Sequence, residues 1–164
     1  MFGALAWTSK TLDRVLLAIA CLSLVVMALH ITADVVARAF NQQVVGTLET
    51  VSYYHMVIAV LLPLAFVERT HENIRVDAFA QLLPGWAQLG LYVVACLIGL
   101  FFFGALAWQS ALDAYQSTVR QETIMSNFLF YIWPSRWALP IAFGATCLAT
   151  FVNLLKALAE RRAL

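Results

Sequence analysis

Apolar positions fall into four long runs separated by short polar stretches. The first, Val15 to Ile31, is interrupted only by Ser23 and His30. At ~1.5 Å per residue it covers about 25 Å, and continuing the helix to Phe40 lets it cross a bilayer with tilt. The second run is Leu48 to Val67, and the third Trp86 to Trp108. The fourth extends from near Pro134 to about Leu158. The pattern predicts an all-α integral membrane protein, a single membrane domain over residues 1–164 with transmembrane helices at 14–40, 47–68, 86–109 and 134–158. Thr47 is expected to cap the second helix, with Glu49 in its first turn, where the helix dipole favours an anion. Pro63 should kink that helix near its end. Pro134 suits the first turn of the fourth helix, and Pro140 should bend its first half.

A secretory signal is the competing reading of the first run. Lys10 and Arg14 precede it, and Ala37-Arg38-Ala39 resembles a cleavage site. The run exceeds the ~7–15 residues of a signal core, so it is read as a span. Between the second and third runs, Val76, Phe79, Ala80 and Leu83 recur at helical spacing, with Asp77 and Gln81 opposite. This predicts a short amphipathic helix over 74–83 lying on the membrane surface. Between the third and fourth runs, the stretch 110–133 is more polar, carries Asp113, Arg120 and Glu122, and is read as a loop. Trp133 and Trp137 sit where an aromatic belt belongs.

Composition agrees with lipid as the solvent. Of the 164 residues, 63% are hydrophobic and 12% charged, against roughly 45–50% and 25% in soluble domains. A net charge of +1 with no basic face excludes a nucleic-acid partner. Cys21, Cys96 and Cys147 each lie inside an apolar run without metal-ligand spacing, so neither a metal site nor a disulfide is expected. Loop cations set orientation. Lys10, Arg14, Arg69, Arg75, Lys156, Arg161 and Arg162 fall on one side, and Arg38, Arg120 and Arg136 on the other. Both termini are therefore expected in the cytoplasm, with Arg69 and Arg75 snorkelling to that surface.

Ionisable groups within the spans call for partners. His30, Asp34 and Arg38 are spaced i, i+4, i+8 on the first helix, and Asn41 follows. Glu49 and His55 reach a similar depth on the second. Arg38 is thus placed to pair with Asp34, Glu49 or both, as a polar clamp within the first hairpin or onto another subunit. Two histidines on neighbouring helices, His30 and His55, also raise an alternative: axial ligands of a haem b in the membrane anchor of a respiratory oxidoreductase. No hydrolase, zinc-protease or phosphate-loop motif appears, so no enzymatic activity is expected. A stand-alone small transporter would want a carboxylate deep in the first helix, and Val15–Ile31 has none. Small residues at Gly99, Gly104, Ala105, Ala142, Gly144, Ala145 and Ala149 offer close helix approach.

Three features together resemble one family. The first helix ends in Asp34-x-x-x-Arg38-x-x-Asn41, and the second opens with Glu49. After it comes His71-Glu72-Asn73-Ile74-Arg75-Val76-Asp77, then Leu83-Pro84 before the third. This order is similar to the DctQ family, the small membrane subunit of tripartite ATP-independent periplasmic (TRAP) transporters. Ile74, Val76 and Asp77 fit the family's interfacial motif. Asn73 stands where that motif has histidine, and His71 comes two residues early. The resemblance implies a non-catalytic scaffold without cofactor or metal, multi-pass in a bacterial inner membrane and surrounded by phospholipids. Its implied partners are a large multi-helix membrane subunit and a periplasmic substrate-binding protein that docks transiently. The implied process is sodium-driven import of organic acids.

Overall fold

The structure is a computed structural model that describes residues 2–42, 44–70, 84–125 and 129–160. The segment expected to form the interfacial helix, with His71, Ile74, Val76 and Asp77, lies outside the described residues.

Among the described residues, four helices are long and apolar enough to cross a membrane: Trp7–Ala39, Thr47–Thr70, Gly85–Val119 and Trp133–Ala159. The first span belongs to α1 (Phe2–Ala39). It stops because Asn41 turns left-handed at φ 58°. The N–H of Gln42 then reaches the carbonyl of Ala37, and that of Asn41 the carbonyl of Arg38, both at 3.0 Å. These two bonds satisfy carbonyls at the helix end, and asparagine tolerates the required backbone better than most residues.

The second span is segmented into α2 (Thr47–Thr50), a π-helical turn (Val51–His55), α3 (Met56–Leu61) and α4 (Leu64–Thr70). The expected interruption at Pro63 separates α3 from α4, because proline has no N–H to offer the carbonyl four residues earlier. The expected cap at Thr47 is not formed. Gly46, at φ 91°, holds the N-cap position, and the Thr47 hydroxyl donates back to the Val44 carbonyl at 3.1 Å.

The stretch expected as a loop after the third span is largely ordered secondary structure. α5 (Gly85–Val119) continues well past Trp108. At ~1.5 Å per residue its 35 residues extend about 52 Å, more than the ~30 Å hydrocarbon layer. Ser110, Ala114 and Ser117, at helical spacing, are the buried residues that keep the extension attached to the chain. Gln121, at φ 51°, ends it by the same left-handed device seen at Asn41. A small antiparallel hairpin follows: β1 (Thr123–Met125) pairs with β2 (Leu129–Tyr131), in register Ile124 to Phe130. The fourth span then comprises α6 (Trp133–Arg136) and α7 (Ala138–Glu160). The break falls at Trp137, ahead of Pro140. Pro140 has no N–H for the carbonyl of Arg136, four residues earlier, and the interruption between α6 and α7 falls at that carbonyl, in the first half of the span as expected.

α7 is the centre of the bundle, packing against α5, α4, α1 and α3, while α5 leans chiefly on α7. Of the most apolar stretch in each span, 44% is buried by the rest of the chain in the fourth and 6% in the third. Close approach on α7 uses Ala142, Ala145, Ala149 and Ala157, all buried, with Thr146 and Thr150 beside them. The glycines expected to serve this purpose do not. A side-chain carbon added at Gly104 or Gly144 would meet nothing within 4 Å, and at Gly99 it would make ordinary contact, 3.7 Å from Thr150.

Candidate functional site

Polar side chains within the spans gather at three depths. At the first, near the start of α1, Asp13 and Ser9 are fully buried at 0% exposure. Arg69, near the end of α4, places Nε 2.5 Å from Asp13 Oδ2. Its side chain is only 13% exposed, so it points into the bundle instead of snorkelling outward. The guanidinium also lies over the Phe66 ring, 5.6 Å from its centroid. Ser9 donates its hydroxyl to the same carboxylate oxygen at 3.4 Å. From α7, Asn153 Nδ2 donates to the Glu68 carbonyl at 3.0 Å. That bond ties the fourth span to α4 beside Arg69. Helices one, two and four are thus joined at residues 68 and 69.

At mid-span, the π turn brings His55 against α1. A π turn shifts the backbone ladder and leaves a carbonyl needing a donor, which in lipid must come from protein. The Ser23 hydroxyl donates to the His55 carbonyl at 3.3 Å and lies 3.1 Å from His55 Nδ1. The His30 and His55 rings approach to 6.1 Å between centroids, edge to face at 85°. The structure therefore brings together the two histidines of the haem alternative. One ring's edge addresses the other's face, whereas axial ligation sets two nitrogens opposite each other across an iron. Among the described residues, no three His, Cys, Asp or Glu side chains gather to hold a metal ion.

At the third depth, the end of α1, Asp34 is 5% exposed and accepts two kinds of bond. Arg38 reaches its Oδ2 through Nε at 2.9 Å and Nη2 at 2.7 Å. The Val44 backbone N–H reaches its Oδ1 at 3.2 Å, holding the connection between the first two spans. The Arg38 side chain is 59% exposed. Glu49 lies half-buried in the first turn of α2 and makes contacts of its own. Asn41 is exposed, and its contribution is the left-handed turn already described.

The hairpin closes over this same end. Phe130 packs edge-on to Tyr54, and the Tyr54 hydroxyl donates to the Tyr131 carbonyl at 2.8 Å. Glu122 accepts from the Ser117 hydroxyl at 2.5 Å and pairs with Arg136 at 2.8 Å. These groups, with Asp113, Gln116 and Arg120, line an open cavity of about 260 Å³. The Ser117 bond, and then Arg136, hold the Glu122 carboxyl below the usual glutamate range against a smaller opposing effect of burial. A lowered folded-state value means stability that is complete above the unfolded value and is lost as pH falls through the folded one. Acidification through that window should therefore loosen the hairpin's hold on α6. Amide protection factors across residues 122–132, which divide out the intrinsic pH dependence of exchange, read this out, and Glu122→Gln should remove their change with pH. Protection factors that do not fall on acidification of the unmodified chain would refute it.

Sequence reasoning missed Asp13, Asn153, Ser23 and Tyr54. Asp13 sits between Lys10 and Arg14 and reads there as a solvated flank. Its signal is periodic: Ser9, Asp13, Leu16, Ala20 and Ser23 recur at i, i+4, i+7, i+11 and i+14, and all five are buried.

No curated protein and no solved structure matches the chain. One family model does, described as tripartite ATP-independent periplasmic transporters, DctQ component, and it matches residues 27–160. That range takes in the last third of α1, the His30–His55 and Asp34–Arg38 contacts, the hairpin and the whole of the fourth span. Four membrane-spanning helices and a match over most of its length make this chain a member of the DctQ family, a membrane component of TRAP transporters.

Proposed function

We propose that the chain is the small, non-catalytic scaffold subunit of a sodium-driven TRAP transporter that imports organic acids. A large multi-helix membrane subunit carries the substrate and ion sites, and a periplasmic binding protein delivers the substrate by transient docking. The single observation behind the scaffold role is how the polar groups of the spans are used. Asp13 with Arg69, Asp34 with the Val44 N–H, Ser23 with His55 and Asn153 with Glu68 each tie one stretch of the chain to another. Polar side chains committed to holding helices together are unsuited to carrying a solute through the membrane. The outward faces are apolar, with Phe101 82%, Ile98 64% and Leu22 64% exposed, and they suit lipid on one side and a larger helical partner on another.

The loop cations orient the chain in a bacterial inner membrane with both termini cytoplasmic. The Asp13–Arg69 junction then lies at the cytoplasmic side, and the hairpin and its cavity face the periplasm. Membership of a tripartite family supports this reading over the two alternatives, an oxidoreductase anchor and a stand-alone carrier. The test is uptake into vesicles. This subunit alone should move no organic acid under a sodium gradient, and adding the large subunit and binding protein should restore uptake. Sodium-driven uptake by the chain alone would sink the proposal.

A further inference from the structure

Beyond Trp108, α5 presents three faces. Ser110, Ala114 and Ser117 are buried against the rest of the chain. Gln109, Asp113, Gln116 and, at the C-cap, Arg120 are exposed, and the last three line the open cavity. Leu112, Tyr115 and Val119 are exposed as well, on a face of their own. Steps of three and four residues keep each set on one side of the helix. The apolar set lies outside the hydrocarbon. Trp86 and Trp108 stand about 33 Å apart along the axis, close to the ~30 Å hydrocarbon layer whose two boundaries tryptophan favours. The turns from Gln109 to Val119 rise a further ~16 Å, past headgroups roughly 5–7 Å deep. Lipid therefore does not cover Leu112, Tyr115 and Val119, and the polar face already meets the water.

The same apolar face continues down into the membrane. Val94, Phe101, Trp108 and Tyr115 recur every seven residues, and Ile98, Ala105, Leu112 and Val119 fill the alternate steps, all of them exposed. A straight helix drifts by ~20° per heptad from such a repeat, so a stripe held in phase over this length fits one neighbouring helix that winds along it. Lipid chains impose no phase, and a soluble protein reaches only the part beyond Trp108. A second copy of this chain is a poor neighbour. Two copies inserted alike would pair in parallel, setting Phe101, Trp108 and Tyr115 each against itself, and three successive aromatic layers crowd axes that pack about 8–10 Å apart. Given the large membrane subunit proposed above, on which this rests, we infer that it lays a helix of its own along the Val94–Val119 stripe of α5 and continues with it past the bilayer. That helix carries small side chains opposite Phe101, Trp108 and Tyr115.

The test places a photoreactive benzophenone side chain at Ile98, Leu112 or Gln116 of the full chain, coexpressed with the large subunit and the binding protein, and irradiates native membranes. Cross-links to the large subunit are expected from Ile98 and Leu112 and not from Gln116. Cross-links from Leu112 to the binding protein or to a second copy overturn the inference. So do cross-links to lipid alone, none from either stripe position, or equally strong ones from Gln116. Pull-down of the unirradiated chain separates this face from the scaffold role. A large subunit recovered without stripe cross-links refutes the face alone, and one never recovered refutes both. Leu112→Lys, which sets an unpaired charge into such a contact, should lower the recovered large subunit by about ten-fold or more, and Gln116→Lys should not. Unfolding midpoints of the two free variants show that both are folded, and equal recovery of the large subunit with either overturns the inference.

Discussion

Arg69→Ala is expected to destabilise the chain by about 3–5 kcal/mol, because removing one partner of a buried ion pair leaves the other charge uncompensated. Asp13 is the stranded partner, and at 0% exposure it has no access to water that would soften the loss. The Ser9 hydroxyl, at 3.4 Å, is too weak a donor to replace a guanidinium. The expected readout is a large fall in unfolding midpoint and in yield of monodisperse protein. Arg69→Lys should recover only part of the loss. It keeps the charge but gives up both the planar fork and the contact over Phe66. An Asp13→Leu, Arg69→Leu double variant should be far more stable than Arg69→Ala, since apolar replacement of a buried pair is often neutral. If Arg69→Ala unfolds with the wild-type midpoint, the junction holds nothing together.

The four spans were legible because lipid imposes a requirement that sequence must meet openly: ~20 consecutive apolar residues per crossing. The Asp34–Arg38 pair was legible for a related reason, since a charge at that depth demands a partner and i+4 spacing supplies one. The lower half of the same stripe was harder to see. Asp13 is flanked by cations and lies outside the apolar run, so local composition reads it as surface. Only its heptad phase with Leu16, Ala20 and Ser23 places it inward. Arg69 failed for the opposite reason. An arginine at the end of a span ordinarily snorkels, and nothing local announces a carboxylate waiting on another helix. Asn153 did carry a signal, as a lone amide in the run Phe151-Val152-Asn153-Leu154-Leu155. Such a group must bond within the protein, although nothing local names its partner, the Glu68 carbonyl on another helix. Of the small residues expected to allow close approach, Ala142, Ala145 and Ala149 are buried; that the glycines are not used, and that α5 continues through Ser110, Ala114 and Ser117, were decided by which face α7 presents.

Asp34→Ala and Arg38→Ala should differ sharply although they break the same ion pair. The Asp34 side chain is 7% exposed and its other oxygen holds the Val44 N–H, so its loss also unties the connection between the first two spans. Losing a charged hydrogen bond of about 1.5–3 kcal/mol and an exposed ion pair of at most about 1 kcal/mol predicts a cost of roughly 2–4 kcal/mol. Arg38→Ala removes a side chain that is 59% exposed and so opens the Asp34 carboxylate, still held by the Val44 N–H, to solvent or headgroups; in the isolated subunit it should cost no more than about 1 kcal/mol. Assembly changes that balance if the large subunit covers this end of α1. The Asp34–Arg38 pair would then be buried on both sides, and Arg38→Ala should cost several times more in the complex than alone. Unfolding midpoints measured on the free subunit and on the assembled transporter separate the cases. Equal and small losses in both would mean that the large subunit leaves the end of α1 uncovered.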